Sequence, residues 1–260
     1  MHESLTALAA TRRRALRALE TTTTATLQTP PPNNAHGPLL DLASNDYLGL
    51  SRHPAVLAAA AAELTTSGLG AGASRLVTGT RPIHQQLEEA LAAWLGRERV
   101  LLFPSGFQAN LAAVSALADR HTLVLADRLI HHSLLVGVRA SGARLQRFAH
   151  NDTADLERRL LAARRERPAG RLLVLCESLY SMEGTSAPVV PLAALCERHD
   201  APLLVDEAHA VGVLGPGGRG QPAAAKASRQ RRARPRRASR AAAAAEGSRI
   251  RAKAARAPAA

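Results

Sequence analysis

Lysine is nearly missing from this 260-residue chain: Lys226 and Lys253 are the only two, and the first 221 residues have none. That stretch therefore cannot supply an amine side chain as base or covalent nucleophile. The phosphate loop GxxxxGK[ST] occurs nowhere, so the letters DEAH at 206–209 do not mark a helicase. Aromatic residues are only 2% of the chain, and helices must pack through small and branched aliphatic side chains. Cys176 and Cys196, the only cysteines, lie in apolar runs without metal-ligand spacing and read as inert core thiols in a reducing compartment. With no HExxH and no GxSxG, neither a zinc hydrolase nor a serine elbow is indicated, and the pair His131–His132 is not read as a metal site. No apolar run approaches the ~18 residues of a membrane span. The start MHESLTALAATRRR lacks the apolar core of a signal peptide. A soluble, cytoplasmic protein with no membrane partner is expected.

The net charge of +13 is concentrated at one end. Twelve of the 34 Lys and Arg residues, but one of the 21 acids, fall after Gln221, so the first 221 residues carry only +2. Ile250 is the one large aliphatic residue from Pro222 onward. That Ala/Arg/Pro/Ser composition cannot form a core strand and predicts a disordered or frayed basic tail. Such a tail could hold nucleic acid through phosphates with steep salt dependence. Without stacking aromatics or a scaffold, it predicts no specific nucleic-acid partner.

Between these ends the pattern is regular. Leu5, Leu8, Leu16 and Leu19 suggest a first helix with a basic face, followed by a Thr- and Pro-rich stretch read as an irregular connector up to residue 40. Short apolar runs at 99–103, 122–126, 143–148, 171–176 and 201–206 then read as strands. Helices are predicted at 54–66, 83–95, 106–118, 132–140, 153–166 and 191–199, with capping residues such as Asn151, Asp152 and Thr153. The alternation predicts an α/β fold: a mainly parallel sheet with helices on both faces, and ligands at the carboxyl ends of its strands. The organisation expected is an N-terminal helix and connector at 1–40, a large domain at 41–221, and the tail at 222–260.

Four pieces fall at the predicted strand ends in a fixed order: SGF (105–107), DRLIHHS (127–133), ESLYSMEG (177–184) and VDEAH (205–209). Together with SNDYLGL (44–50), GLGAGASRLVTGT (68–80) and FAHND (148–152), they resemble the α-oxoamine synthases, fold-type-I acyltransferases dependent on pyridoxal 5'-phosphate (PLP). Within that family, SMEGTSAP and SNDYLGL are most similar to the 8-amino-7-oxononanoate synthase type. The resemblance spans roughly residues 41 to 220. GLGAGAS, a weak dinucleotide hint by itself, is read as a substrate-side loop.

The resemblance implies a role for each matching residue. Asp206 would hold the proton on the pyridine nitrogen, as a carboxylate does by opposite-charge stabilisation. His209 would hydrogen-bond the ring oxygen, His131 would stack on the ring and face the substrate, and Ser181 would lie near the cofactor. Gly106 and Phe107 would offer backbone N–H groups to the phosphate at a helix N-terminus. Arg14, with Arg17 close behind, would hold the substrate carboxylate. The implied reaction condenses L-alanine with a pimeloyl thioester, carried by coenzyme A or acyl carrier protein, with loss of CO₂. A glycine-using sister synthase, of the 2-amino-3-ketobutyrate ligase or 5-aminolevulinate synthase type, shares the core. The family is homodimeric, with its site at the subunit boundary.

One element of the family pattern has no match. The lysine that carries the cofactor and later removes the Cα proton would lie near Ala238, where this chain reads ARPRRASRAA. Neither Lys226 nor Lys253 follows an apolar strand. The expectation is a chain truncated or frameshifted after about residue 221, lacking the small C-terminal domain and inactive as written. A non-catalytic fragment with a basic tail is the remaining alternative.

Overall fold

The computed structural model describes residues 19–21, 26–28 and 37–221. Arg14, Arg17, Lys226, Lys253, the N-terminal helix and the basic tail lie outside the described residues. The chain divides into two compact units, one ending at Gly70 and the other beginning at Ala71.

In the first unit, β1 (Glu20–Thr21), β2 (Thr26–Gln28) and β3 (Leu39–Leu40) form an antiparallel sheet in that order. The stretch read as an irregular connector thus contributes strand pairing, with Thr26 opposite Leu40. β-Branched threonines suit a pleated strand, whereas the sequence reading counted them with the prolines only as opposing a helix. Downstream, the Asp46 carboxylate accepts the Leu50 N–H at 2.8 Å and the Ser51 hydroxyl at 2.6 Å, fixing a tight turn. Helix α1 (Pro54–Ser67) follows, with proline in its first turn and the His53 ring accepting the Ala55 N–H.

The second unit holds α2 (Pro82–Leu95), α3 (Gly106–Leu117), β4 (Thr122–Asp127), α4 (His132–Ser141), β5 (Arg144–Phe148), α5 (Thr153–Glu166), β6 (Arg171–Glu177), α6 (Val189–Arg198) and β7 (Leu203–Asp206). The four long strands are all parallel, in the order β5-β4-β6-β7. Six successive residues of β6, Leu172 to Glu177, are buried, so both faces of that strand are covered. Leu134 and Val138 of α4, Leu156, Leu160 and Ala163 of α5, and Leu192, Leu195 and Cys196 of α6 supply the covering apolar stripes.

The strand order also sets where the helices go. β4 connects outward to β5, whereas β5 to β6 and β6 to β7 run the other way. With right-handed crossovers, α4 lies on one face and α5 and α6 on the other. The contacts agree: α4 packs on α3, and α5 is tied to α6 by an Arg198–Glu157 ion pair at 2.8 Å. Reversal of the winding direction between β4 and β6 is where an open α/β sheet leaves a crevice, outside the carboxyl ends of its strands.

The run 99–103 is not a strand. It lies as irregular chain, Leu101 and Phe103 are exposed, and the Leu102 N–H donates to the Glu88 carboxylate at 2.9 Å. That bond is the largest reason the Glu88 carboxyl is held below its usual value, and Arg75 adds to it at 3.2 Å. Apolar content alone does not make a strand when the backbone finds a side-chain partner first.

At the crossing of α3 and α4, a Cβ on Gly137 would stand 2.9 Å from Cβ of Val114 and 3.4 Å from the Asn110 carbonyl oxygen. Gly137→Val is expected to destabilise by about 1–3 kcal/mol through overpacking, seen as a lower urea midpoint. Val114→Ala in the same chain should recover part of the loss, because the two side chains compete for one space. An unchanged midpoint for Gly137→Val alone would contradict the close approach.

Candidate active site

The carboxyl ends of β4, β6 and β7 deliver three acids: Asp127, Glu177 and Asp206. Glu177 and Asp206 are register partners on neighbouring parallel strands. In such a ladder, partner side chains leave the sheet on the same face. The Asp206 carboxylate accepts the Ala208 N–H on Oδ1 at 2.9 Å and an N–H of the Asn110 amide on Oδ2 at 2.7 Å. The same Asn110 nitrogen donates to Ser133 Oγ at 2.9 Å, and Ser133 Oγ lies 2.7 Å from His131 Nδ1. Asp206 and His131, two residues singled out from the sequence, are thus joined through two that were not.

His131 caps α4: its Nδ1 accepts the Ser133 N–H while the ring stays exposed. Gly106 and Phe107 open α3, whose cap is Ser105, accepting the Gln108 N–H at 3.2 Å. Both are exposed, and a Cβ placed on Gly106 would meet nothing within 4 Å. The free N–H groups of a helix's first turn carry partial positive charge, so this end suits an anion. Asn110 lies one turn further along the same helix, which places that helix end beside Asp206. Ser181 lies on an exposed turn whose ends are closed by the Gly184 N–H to the Tyr180 carbonyl at 2.8 Å and the Tyr180 N–H to the Thr185 carbonyl at 2.9 Å. His209 is half-buried, in the turn three residues after Asp206.

Glu177 is 4% exposed. Burial, then the nearby Asp206 charge, pushes its carboxyl up to about 7, and a hydrogen bond from the His131 backbone N–H offsets part of this. Glu207 is raised as well, chiefly by burial, while accepting the Gln221 N–H at 2.9 Å.

A second network braces the crevice. Buried Asp127 accepts the N–H groups of Leu129 at 2.9 Å and Asn151 at 2.8 Å, and pairs with His150 Nδ1 at 3.0 Å. His150 Nε2 reaches Thr185 Oγ1 at 2.8 Å, and its ring meets buried Tyr180 edge-on at a centroid distance of 4.5 Å. Burial and the facing Asp127 push the Tyr180 phenol well above its usual value. The positive φ of Asn151 lets the backbone turn there so that its N–H points at Asp127, a conformation asparagine tolerates better than most residues.

Asn110, Ser133, Glu177, Asp127 and His150 carried no assigned role in the sequence reading. All but Asn110, three residues past SGF, lie inside a quoted motif, and Glu177 had a usable signal as an acid closing an apolar strand. Cys176 and Cys196 are buried and free, and burial pushes the Cys196 thiol up to about 12. Among the described residues, no group of His, Cys, Asp and Glu could hold a metal ion, and no helix is long and apolar enough to cross a membrane.

Residues 37–234 match the model of the aminotransferase class I and II family, and the chain belongs to that family. Curated relatives named 8-amino-7-oxononanoate synthase include those of Alcanivorax borkumensis, Klebsiella pneumoniae and Nitrosococcus oceani, at 51%, 50% and 49% identity. The matches cover 70%, 71% and 71% of this chain and 46%, 47% and 48% of those proteins. The chain therefore spans about half the length of the curated relatives it matches. Among solved structures, a serine palmitoyltransferase of Sphingomonas wittichii is similar at 32% identity and a TM-score of 0.75, over 86% of this chain and 54% of that one. A serine palmitoyltransferase from S. paucimobilis, with PLP and myriocin bound, is similar at 32% identity and a TM-score of 0.72, over 78% and 50%. An 8-amino-7-oxononanoate synthase from Francisella tularensis is similar at 30% identity and a TM-score of 0.57, over 70% and 49%. The fold-type-I α/β architecture expected from the motifs is the one these structures share with this chain.

A carboxyl raised in the folded state keeps its proton there to higher pH than in the unfolded chain, so the native state binds more protons in between. Stability from Glu177 is therefore complete below its unfolded value of 4.5 and falls as pH rises through about 7. Thermal melts between pH 4.5 and pH 8 should show Glu177→Gln gaining stability relative to the parent as pH rises, and equal pH dependence of the two would rule this out.

Proposed function

We propose that residues 41–221 are the cofactor-binding portion of a PLP-dependent acyltransferase of the α-oxoamine synthase family. The reaction proposed is the decarboxylative condensation of L-alanine with a pimeloyl thioester, in biotin biosynthesis. The observation that carries the reading is the Asp206 carboxylate at the end of β7, hydrogen-bonded to the helix that opens at Gly106 and linked through Ser133 to His131. An acid, an imidazole and an open helix N-terminus are the three contacts that a pyridinium nitrogen, a flat ring and a phosphate require. The described residues fit the non-covalent part of the cofactor. Bound there, PLP supplies an electron sink for the negative charge left at a substrate Cα.

The residues divide the work. Asp206 keeps a proton on the ring nitrogen, because its ionised form favours a positive neighbour. His131 would lie over the ring and exclude water from that side, and His209 would donate to the ring oxygen. The Gly106 and Phe107 N–H groups would hold the phosphate, and the Ser181 hydroxyl would lie beside the cofactor. By the resemblance alone, Arg14, outside the described residues, would hold the substrate carboxylate. No described residue is a lysine, and Lys226 and Lys253 are not expected to carry the cofactor covalently, so this chain is proposed to bind PLP without turning over. A homodimer and a cytoplasmic location belong to the same reading. Leu76 at 98% and Leu101 at 75% exposure support further chain covering this unit. The domain limits 1–40, 41–221 and 222–260 are kept as part of this proposal.

The quench of Trp94 fluorescence on adding PLP tests the site. Asp206→Asn is expected to weaken binding about tenfold or more, the range for a lost charge-assisted hydrogen bond. Equal binding by the two proteins would place the ligand elsewhere. After borohydride treatment, mass spectrometry should find no PLP adduct; one on Lys226 or Lys253 would overturn the absence of covalent attachment. Assay of a protein with an intact lysine segment, with alanine against glycine, separates the alanine-using reading from its glycine-using sister.

A further inference from the structure

Both oxygens of Asp206 already accept a hydrogen bond, from Ala208 on Oδ1 and from Asn110 on Oδ2. Two acceptors fixed in this way hold the plane of the carboxylate against rotation, so that a ligand nitrogen meets a preset direction. The Asn110 amide has no freedom to flip. A carboxylate offers no proton, so the NH₂ end must face Asp206, as the 2.7 Å contact requires. The same nitrogen donates its second proton to Ser133 Oγ at 2.9 Å.

The direction at the histidine end is set by a backbone donor. The Ser133 backbone N–H points at His131 Nδ1 at 3.3 Å, which makes that nitrogen an acceptor. The Ser133 hydroxyl, 2.7 Å from it, accepts from Asn110 through one lone pair and then has its own proton to give to Nδ1. Nδ1 is an acceptor twice over, which places the ring proton of a neutral His131 on Nε2. Ser133 is fully buried, so no water competes for this hydroxyl, whereas the imidazole it orients is exposed. A directional relay through one buried hydroxyl thus links the half-buried Asp206 to the exposed His131.

We propose that Asn110 and Ser133 are positioning residues that lock the Asp206 carboxylate and the His131 imidazole into one pre-organised unit, with His131 in its Nε2–H form, for a protonated heteroaromatic ring. The inference rests on the PLP reading of the site and goes beyond it, since that reading gives neither residue a contact with the cofactor. Asn110 acts through the acid and Ser133 through the imidazole. The two are coupled because the Asn110 amide is shared between them.

The test uses the full chain with PLP as the probe, folding being checked by circular dichroism. Failure of the parent chain to bind PLP, or binding unaffected by Asp206→Asn, counts against the PLP reading. Given a responsive parent, Asn110→Ala and the near-isosteric Asn110→Asp are each expected to weaken binding about tenfold, the latter by setting a second carboxylate beside Asp206. Asn110→Ala added to Asp206→Asn should cost little more than Asp206→Asn alone, because the amide acts through that acid; full additivity would overturn the coupling. Independently of any ligand, ¹⁵N spectra of the parent should show His131 Nδ1 unprotonated and Nε2 protonated, and Ser133→Ala should shift this toward a mixture. A predominantly Nδ1–H ring in the parent, or one indifferent to Ser133→Ala, would refute the relay.

Discussion

The parallel ladder between β6 and β7 puts Glu177 and Asp206 abreast at the end of the sheet, and much of the chemistry of this molecule is a response to that crowding. Two carboxyl groups on neighbouring strands cannot both ionise cheaply when one is buried. Glu177, cut off from water, yields and keeps its proton into the neutral range. Asp206 is only half-buried and takes donors from a helix amide and its own following loop. The acid proposed to face a ligand is thereby the partly exposed one with two donors, while its buried neighbour takes the His131 N–H. The same sheet sets the helix ends: reversal of winding between β4 and β6 leaves room above them, and α3 presents its first turn beside it.

The elements legible in the sequence were those specified by local chemistry. Helix α5 could be found because Asp152 caps it and Leu156, Leu160 and Ala163 recur on one face. β6 could be found because an unbroken apolar run suits a strand covered on both sides. The run at 99–103 has the same composition but forms no ladder, and its Leu102 N–H is taken up by Glu88 fourteen residues earlier. Pairing is a property of the whole sheet, and no window of residues contains it. The strands before residue 41 escaped for the converse reason: they are too short for periodicity to register, and threonine's preference was outweighed by neighbouring prolines.

The site divides along the same line. Asp206 and His131 stand at the mouths of recognisable motifs, so their positions could be read directly. Asn110 and Ser133 could not, because their significance lies in contacts across 96 and 23 residues that exist only once α3 and α4 cross. That crossing depends on Gly137, where one hydrogen lets the Asn110 backbone come close. A residue whose side chain is a single atom carries no chemical signal of its own, yet it governs where an amide 27 positions earlier in the chain can sit.

Asp127 gathers three separate stretches onto one buried carboxylate: the turn leaving β4, the corner at Asn151 and, by way of His150, the turn that contains Ser181. Fastening the rim at a single rivet makes its loops mechanically one piece. Heat, a denaturant or a change at that one atom pair would not loosen the lips of the crevice one after another; the whole mouth would slacken together, so the entrance should behave as a door on one latch rather than a set of independent flaps.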